Sequence, residues 1–161
     1  MLAVKYSVHL KKPMFKLFLM GKFIHNQEKI YLVKPLTYMN LSGVIMKDVF
    51  KLTKAGIDNL ITICDTLDLP PGKCRLKSKG SSAGQKGLQS IIHAVQTDVF
   101  LRLFIGIGRP HPEDDVSGYV LSSPKALEKE LISRAIEKAS DNLLDLTCKP
   151  LNRVMNVINS E

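Results

Sequence analysis

Residues 59–72 read Asn59-Leu60-Ile61-Thr62-Ile63-Cys64-Asp65-Thr66-Leu67-Asp68-Leu69-Pro70-Pro71-Gly72. A short apolar run rich in β-branched residues reads as a buried strand, here Asn59 to Cys64. It runs straight into a carboxylate, and Pro70-Pro71-Gly72 then forces a turn. In open α/β sheets ligands gather beyond the carboxyl ends of the strands. Asp65 therefore reads either as a site residue or as a strand-end carboxylate capping the next turn. Asp68, three residues on, reads as the turn carboxylate.

Outward from this strand, helix and strand patterns alternate. Toward the N-terminus, Lys16 to His25 and Glu28 to Val33 are β-rich and flank Asn26-Gln27, predicting a hairpin ended by Pro35. Between hairpin and strand, Leu41, Val44, Ile45, Val49 and Leu52 recur at helical spacing, predicting a helix within Thr37 to Lys54. Asn40 and Ser42 are its candidate caps, and Gly56 its stop. Toward the C-terminus, Lys73 to Lys79 alternates as a strand with Arg75, Lys77 and Lys79 on one face. A helix over Gly87 to Gln96 follows, then a strand over Leu101 to Ile107. A long amphipathic helix is predicted over Lys125 to Leu146, with Leu127, Leu131, Ala135, Ile136, Ala139 and Leu143 inward. Asn152 to Asn159 gives a last short helix, and Met1 to Leu10 reads as a helix end. The mixture predicts one α/β domain over residues 1–161: a twisted mixed β-sheet flanked by helices.

Composition narrows the function classes. Hydrophobic residues make up 45% and charged residues 24% of the 161, an ordinary globular balance. The 23 Lys+Arg against 15 Asp+Glu give a formal charge of +8. That excess suits a polyanionic partner, because phosphate contacts release counterions, and suits solubility equally well. Cys64, Cys74 and Cys148 match no zinc spacing. None of His9, His25, His93 and His111 has a metal-ligating neighbour at the usual spacing. No apolar run has membrane-spanning length and no signal peptide is evident, so a cytoplasmic protein is expected, an organelle being the other location open. No Gly-x-Ser-x-Gly elbow supports a serine hydrolase.

Three further features bear on chemistry. Asn40 offers an amide donor and acceptor for a water or carbonyl, or simply a helix cap. The small-residue loop Gly80-Ser81-Ser82-Ala83-Gly84 opens a helix and presents backbone N–H groups suited to a phosphate, without the ending of a P-loop. The basic row Arg75, Lys77 and Lys79, extended by Lys86, Arg102 and Arg109, either tracks a phosphate backbone or protects an edge strand.

Four ordered motifs carry a family resemblance. They are Lys34-Pro35-Leu36-Thr37-Tyr38-Met39-Asn40-Leu41-Ser42-Gly43, Asp65 to Gly72, Gly84-Gln85-Lys86-Gly87-Leu88, and Arg102 to Pro110, with Gly118-Tyr119-Val120-Leu121 beyond. Together they resemble the bacterial-type peptidyl-tRNA hydrolases, strongly from about Lys34 to Leu121. The resemblance implies hydrolysis of the ester between a peptide and the 3′ end of tRNA, part of translation, with no metal or other cofactor. It implies a histidine general base acting on water, with Asp65 orienting it and Asn40 positioning water or substrate. Tyr38, Met39, Asn40, Lys86, Arg75, Lys77 and Arg102 are the implied substrate and tRNA contacts. A monomer that meets tRNA and no membrane is expected.

Two departures shape the expectation. The family's first strand, its Gly-Leu-Gly-Asn-Pro-Gly turn and its Thr-Arg-His-Asn segment have no counterpart in these residues. No residue is therefore assigned as the general base, with His9 the nearest candidate. Losing such a base costs about 10²–10⁴ in rate, so an inactive chain is expected, and a non-catalytic RNA-binding protein on the same fold is the alternative. Loss of a buried strand also predicts low stability, since each large apolar side chain contributes roughly 1.5–3 kcal/mol. The second departure is Gln85-Lys86, standing where the family has His-Asn.

Overall fold

The computed structural model describes residues 1–160. The hairpin pairs β1 (Phe18–His25) with β2 (Glu28–Pro35) in antiparallel register, from Phe18 opposite Pro35 to His25 opposite Glu28. Its two-residue turn has both φ angles positive, 48° at Asn26 and 68° at Gln27, the backbone that matches the strands' right-handed twist. The segment before it folds back along β1, where Lys11 and Met20 exchange backbone hydrogen bonds.

A second sheet holds three strands in the order β3-β5-β4. These are β3 (Ile61–Thr66), β4 (Cys74–Lys77) and β5 (Leu101–Gly106). β3 runs parallel to β5 and β4 antiparallel to it, so the sheet is mixed as expected. β5 is central, and Arg102, Leu103, Phe104 and Gly106 are all buried, the continuous burial of a strand covered on both faces.

Helices occupy both sides. α1 (Leu2–Lys5) is one short turn, less than the helix end expected across Met1 to Leu10. A 3-10 helix over Met39–Ile45 leads into α2 (Met46–Thr53), and α3 is Lys86–Val95. Phe18, Ile45, Met46 and Val49 form one buried cluster, joined by Ile91 and Val95 of α3. Leu88, Phe100 and Phe104 form a second, which Ile91 and Val95 also touch. α3 thus bridges the hairpin and the sheet. On the opposite face, α5 (Ala126–Leu144) and α6 (Leu151–Asn159) pack Ala139, Leu143, Val154 and Ile158 against Leu76 and Leu103.

The structure corrects several expectations. The Thr37–Lys54 segment begins as a 3-10 helix because Ser42 turns its hydroxyl back to the Met39 carbonyl, 2.8 Å away, instead of capping. The stop is Lys54, left-handed at φ 58°, while Gly56 is extended. The N-terminal half of α5 is largely open to solvent: Leu127 is 69% exposed, Leu131 lies only partly covered beside Gly72, and only from Ala139 onward is the inward stripe buried. A further helix, α4 (Val116–Leu121), lies where the apolar periodicity predicts none. Asp115 caps it by accepting from the Ser117 and Gly118 amides.

Candidate functional site

Asp65 sits half-buried one residue from the end of β3, level with Ile105 of β5 and, across β5, with Cys74. Its carboxylate Oδ1 accepts a hydrogen bond of 3.3 Å from Gln85 Nε2. The other end of the Gln85 amide is committed as well, since Oε1 accepts from the Leu88 backbone N–H at 2.7 Å. A backbone N–H only donates and a carboxylate only accepts, so the two partners fix which way this amide points. Gln85 is at once the N-cap of α3 and the link from that helix to the strand-end carboxylate.

The 3-10 helix brings Met39 and Asn40 to the same place. It lies so close to α3 that a Cβ added to Gly87 would meet the Met39 sulfur, and would stand 3.0 Å from Gln85 Oε1. Gly43 makes the matching approach further on, its N–H donating to Ser90 Oγ at 2.9 Å. Glycine at both contacts lets the two backbones touch. Tyr38, Met39 and Asn40 are exposed, and the Asn40 amide makes no hydrogen bond within the described residues. Lys86, first residue of α3, is exposed beside them. The folded chain therefore gathers Met39, Asn40, Asp65, Gln85 and Lys86 around the start of α3.

The basic row is placed elsewhere. Arg75 and Lys77 project from β4 opposite Phe104 and Arg102, with β5 between them and Asp65. Both are exposed, and the Lys77 ammonium lies 5.6 Å from the Phe104 ring centroid. Two strand spacings of about 4.8 Å separate their strand from β3, so they flank the cluster as a basic border. Arg102 requires a correction. It is fully buried, with its guanidinium donating to the carbonyls of Gly80, Ser81 and Asp98. A side chain so enclosed cannot meet an RNA phosphate, so Arg102 leaves the contact set.

The remaining polar groups have local duties. Asp68 forms an exposed ion pair with Arg109, as suits a turn carboxylate. Burial, seconded by the Asp65 charge, pushes the Cys64 thiol up to about 12 and keeps it neutral. His25 meets the Tyr6 hydroxyl at 3.1 Å, and His9, His93 and His111 are exposed. Among the described residues Asp65 is hydrogen-bonded by Gln85 and by no histidine. Nor do three His, Cys, Asp or Glu side chains gather there into a metal-holding group. No described helix is long and apolar enough to cross a membrane. Sequence reasoning had treated Gln85 only as a departure from a motif. Glutamine is not among the favoured N-capping residues, so no local pattern announces this role.

Comparison with known proteins agrees with this architecture. The peptidyl-tRNA hydrolase family model matches residues 1–161, and the chain belongs to that family. It is 42% identical over 158 residues to the peptidyl-tRNA hydrolase of Geobacillus kaustophilus, covering 98% of this chain and 84% of that protein. The Hydrogenobaculum peptidyl-tRNA hydrolase is 37% identical over the same shares. Among solved structures, peptidyl-tRNA hydrolase from Acinetobacter baumannii superimposes with a TM-score of 0.91 at 33% identity, covering 99% of this chain and 81% of that one. The expected fold class and family are thus borne out, and with them assignment to a family of hydrolases.

Proposed function

We propose that this chain binds the aminoacylated 3′ end of peptidyl-tRNA at the start of α3 and serves hydrolysis of its ester. The observation that supports this reading is the convergence of Asp65, Gln85, Asn40, Met39 and Lys86, contributed by three separate elements. Met39 and Tyr38 offer an exposed apolar wall for the terminal base and peptide. The unengaged Asn40 amide presents both a donor and an acceptor to a carbonyl or water. Lys86, at the positive end of α3, attracts the nearest phosphate. Arg75 and Lys77 extend that attraction along β4, and the excess of basic residues draws the polyanion in.

Asp65 supplies the fixed negative charge. Gln85 occupies one of its oxygens, leaving the second to orient a general base, as in any carboxylate–base–water arrangement. Ester cleavage requires that base, and among the described residues none is hydrogen-bonded to Asp65. This observation favours a second reading, RNA binding on the same fold without cleavage.

Single-turnover release of the blocked amino acid from an N-acetyl-aminoacyl-tRNA, with Asp65→Ala beside the wild type, separates the two. Cleavage lost in the variant establishes the first reading. Salt-sensitive binding with no cleavage establishes the second. A folded protein that neither binds nor cleaves at low salt overturns both.

A further inference from the structure

Arg102 is the only charged side chain among the described residues that is fully buried, at 0% exposure. No carboxylate pairs with it. Its partners are backbone carbonyls, Gly80 and Ser81 (3.3 Å) at one nitrogen and Asp98 (2.5 Å) at the other. The guanidinium lies 4.4 Å from the Phe100 ring centroid, and its Nε has no partner. The Asp98 charge acts on it without forming an ion pair, and a buried charge lacking such a pair is a poor way to stabilise a core, where an apolar side chain of similar volume often serves as well or better. What the planar fork does provide is direction, since it binds acceptors at fixed angles that neither a lysine nor an apolar group reproduces.

The acceptors lie at two ends of a structural span. Asp98 precedes β5, and its carbonyl also accepts from the Gly80 N–H at 3.3 Å. Gly80 and Ser81 begin the loop that ends in the cap of α3. That loop is conformationally demanding, with left-handed φ at Gly80 (127°), Ala83 (49°) and Gly84 (80°). Such a run holds a single path only when something outside it does the holding. Arg102 anchors its first two carbonyls, and Gln85, bonded to Asp65 and Leu88, anchors its end.

We propose that Arg102 is a positioning residue for RNA binding, setting the path of residues 80–84 so that Gln85 and Lys86 stand in register with Asp65. This rests on the binding reading given above. Arg102 touches no substrate. It acts through the loop, and its influence on the RNA therefore passes through Lys86.

The test uses the full chain and an acceptor-stem RNA hairpin ending in CCA, with binding followed at fixed low salt beside thermal melts. Arg102→Met removes the buried charge, Arg102→Lys keeps it, and Ile158→Val is a core control remote from the loop. Whichever Arg102 variant melts cooperatively is expected to bind about tenfold more weakly. Ile158→Val is expected to bind as the wild type does at a comparable or lower melting temperature. Adding Lys86→Ala to the Arg102 variant is expected to weaken binding less than Lys86→Ala does alone. The proposal is overturned by wild-type affinity in a folded Arg102 variant, by additive effects with Lys86→Ala, or by an equal loss in Ile158→Val. Wild-type protein that fails to bind the hairpin removes the functional reading and this one together, an outcome distinct from the other three.

Discussion

Gly43→Ala probes the contact that brings Asn40 to α3. A Cβ on Gly43 would overlap the Ser90 carbonyl oxygen, standing 2.6 Å from its carbon and 2.9 Å from the Ala94 Cβ. Two of these neighbours are atoms of a helix backbone, which does not yield as a flexible side chain would. The 3-10 helix must retreat instead, and the Gly43 N–H loses Ser90 Oγ. Overpacking of this kind costs about 1–3 kcal/mol, and a lost hydrogen bond about 0.5–1.5 kcal/mol. A loss near 3 kcal/mol lowers the melting temperature of a chain this size by roughly 6–12 °C. Because Met39 and Asn40 move with the segment, affinity for an acceptor-stem RNA should fall as well, measured well below the variant's melting point. Circular dichroism melts and an RNA titration check both effects. A melting temperature within a degree or two of wild type would refute the claim that this close approach is tight, and with it the account of how Asn40 is placed.

Further outcomes follow from particular contacts. Gln85→Glu sets two carboxylates against each other beside Asp65 and removes the donor, so it should lower stability by about 1–3 kcal/mol at neutral pH and weaken RNA binding. Urea titration measures the first effect. Cys148 is exposed while Cys64 is held neutral to about 12, so a thiol alkylating agent at pH 8 should label Cys148 first and leave Cys64 unmodified in mass spectra. Because the Cys64 pKa is raised on folding, its contribution is complete below the thiol's ordinary value of 9.0 and drains away as pH climbs toward 12. Stability should therefore decline across that window, and Cys64→Ala should flatten the decline. Asn159→Ala removes two hydrogen bonds to Leu76, of 2.7 and 3.1 Å, and should cost about 1–3 kcal/mol, again by urea titration.

Much of the fold was legible because its signals are local. The hairpin follows from a two-residue polar turn between β-rich runs, and the existence of β3 from an apolar-rich stretch ending at Asp65, but the burial expected of that strand does not hold: β3 lies at the sheet edge and Ile63 is 56% exposed. What escaped depends on neighbours distant in the chain. Arg102 read as one more member of a basic row because alternation says nothing about whether a strand is central. Only the pairing of β5 with both β3 and β4 encloses it, although its setting among Leu101, Leu103 and Phe104 was a clue. The stripe on α5 was real, yet periodicity does not tell how far along a helix its partner covers it, so Leu127, expected inward, is exposed and Leu131 only partly covered. α4 is too short for a periodic pattern, and only its Asp115 cap announces it. In the proposed site, the strand-end position of Asp65 was legible from the sequence. The bridge through Gln85 was not, because one amide capping a helix and holding a carboxylate is visible only once both elements are placed.

The pair of bonds from the Asn159 carboxamide to Leu76 also bears on how the chain is made. That carboxamide offers the outer edge of β4 the donor and acceptor which a neighbouring strand would offer, and it comes from a residue 83 positions later. On a ribosome moving at about 5–20 residues per second, β4 therefore waits roughly 4–17 s, bare along that side, before its cover has been synthesised. During the wait its exposed backbone invites pairing with any extended chain nearby. Arg75 and Lys77, already present and exposed on β4, put charge on that strand during the interval, the feature by which edge strands discourage pairing with other chains.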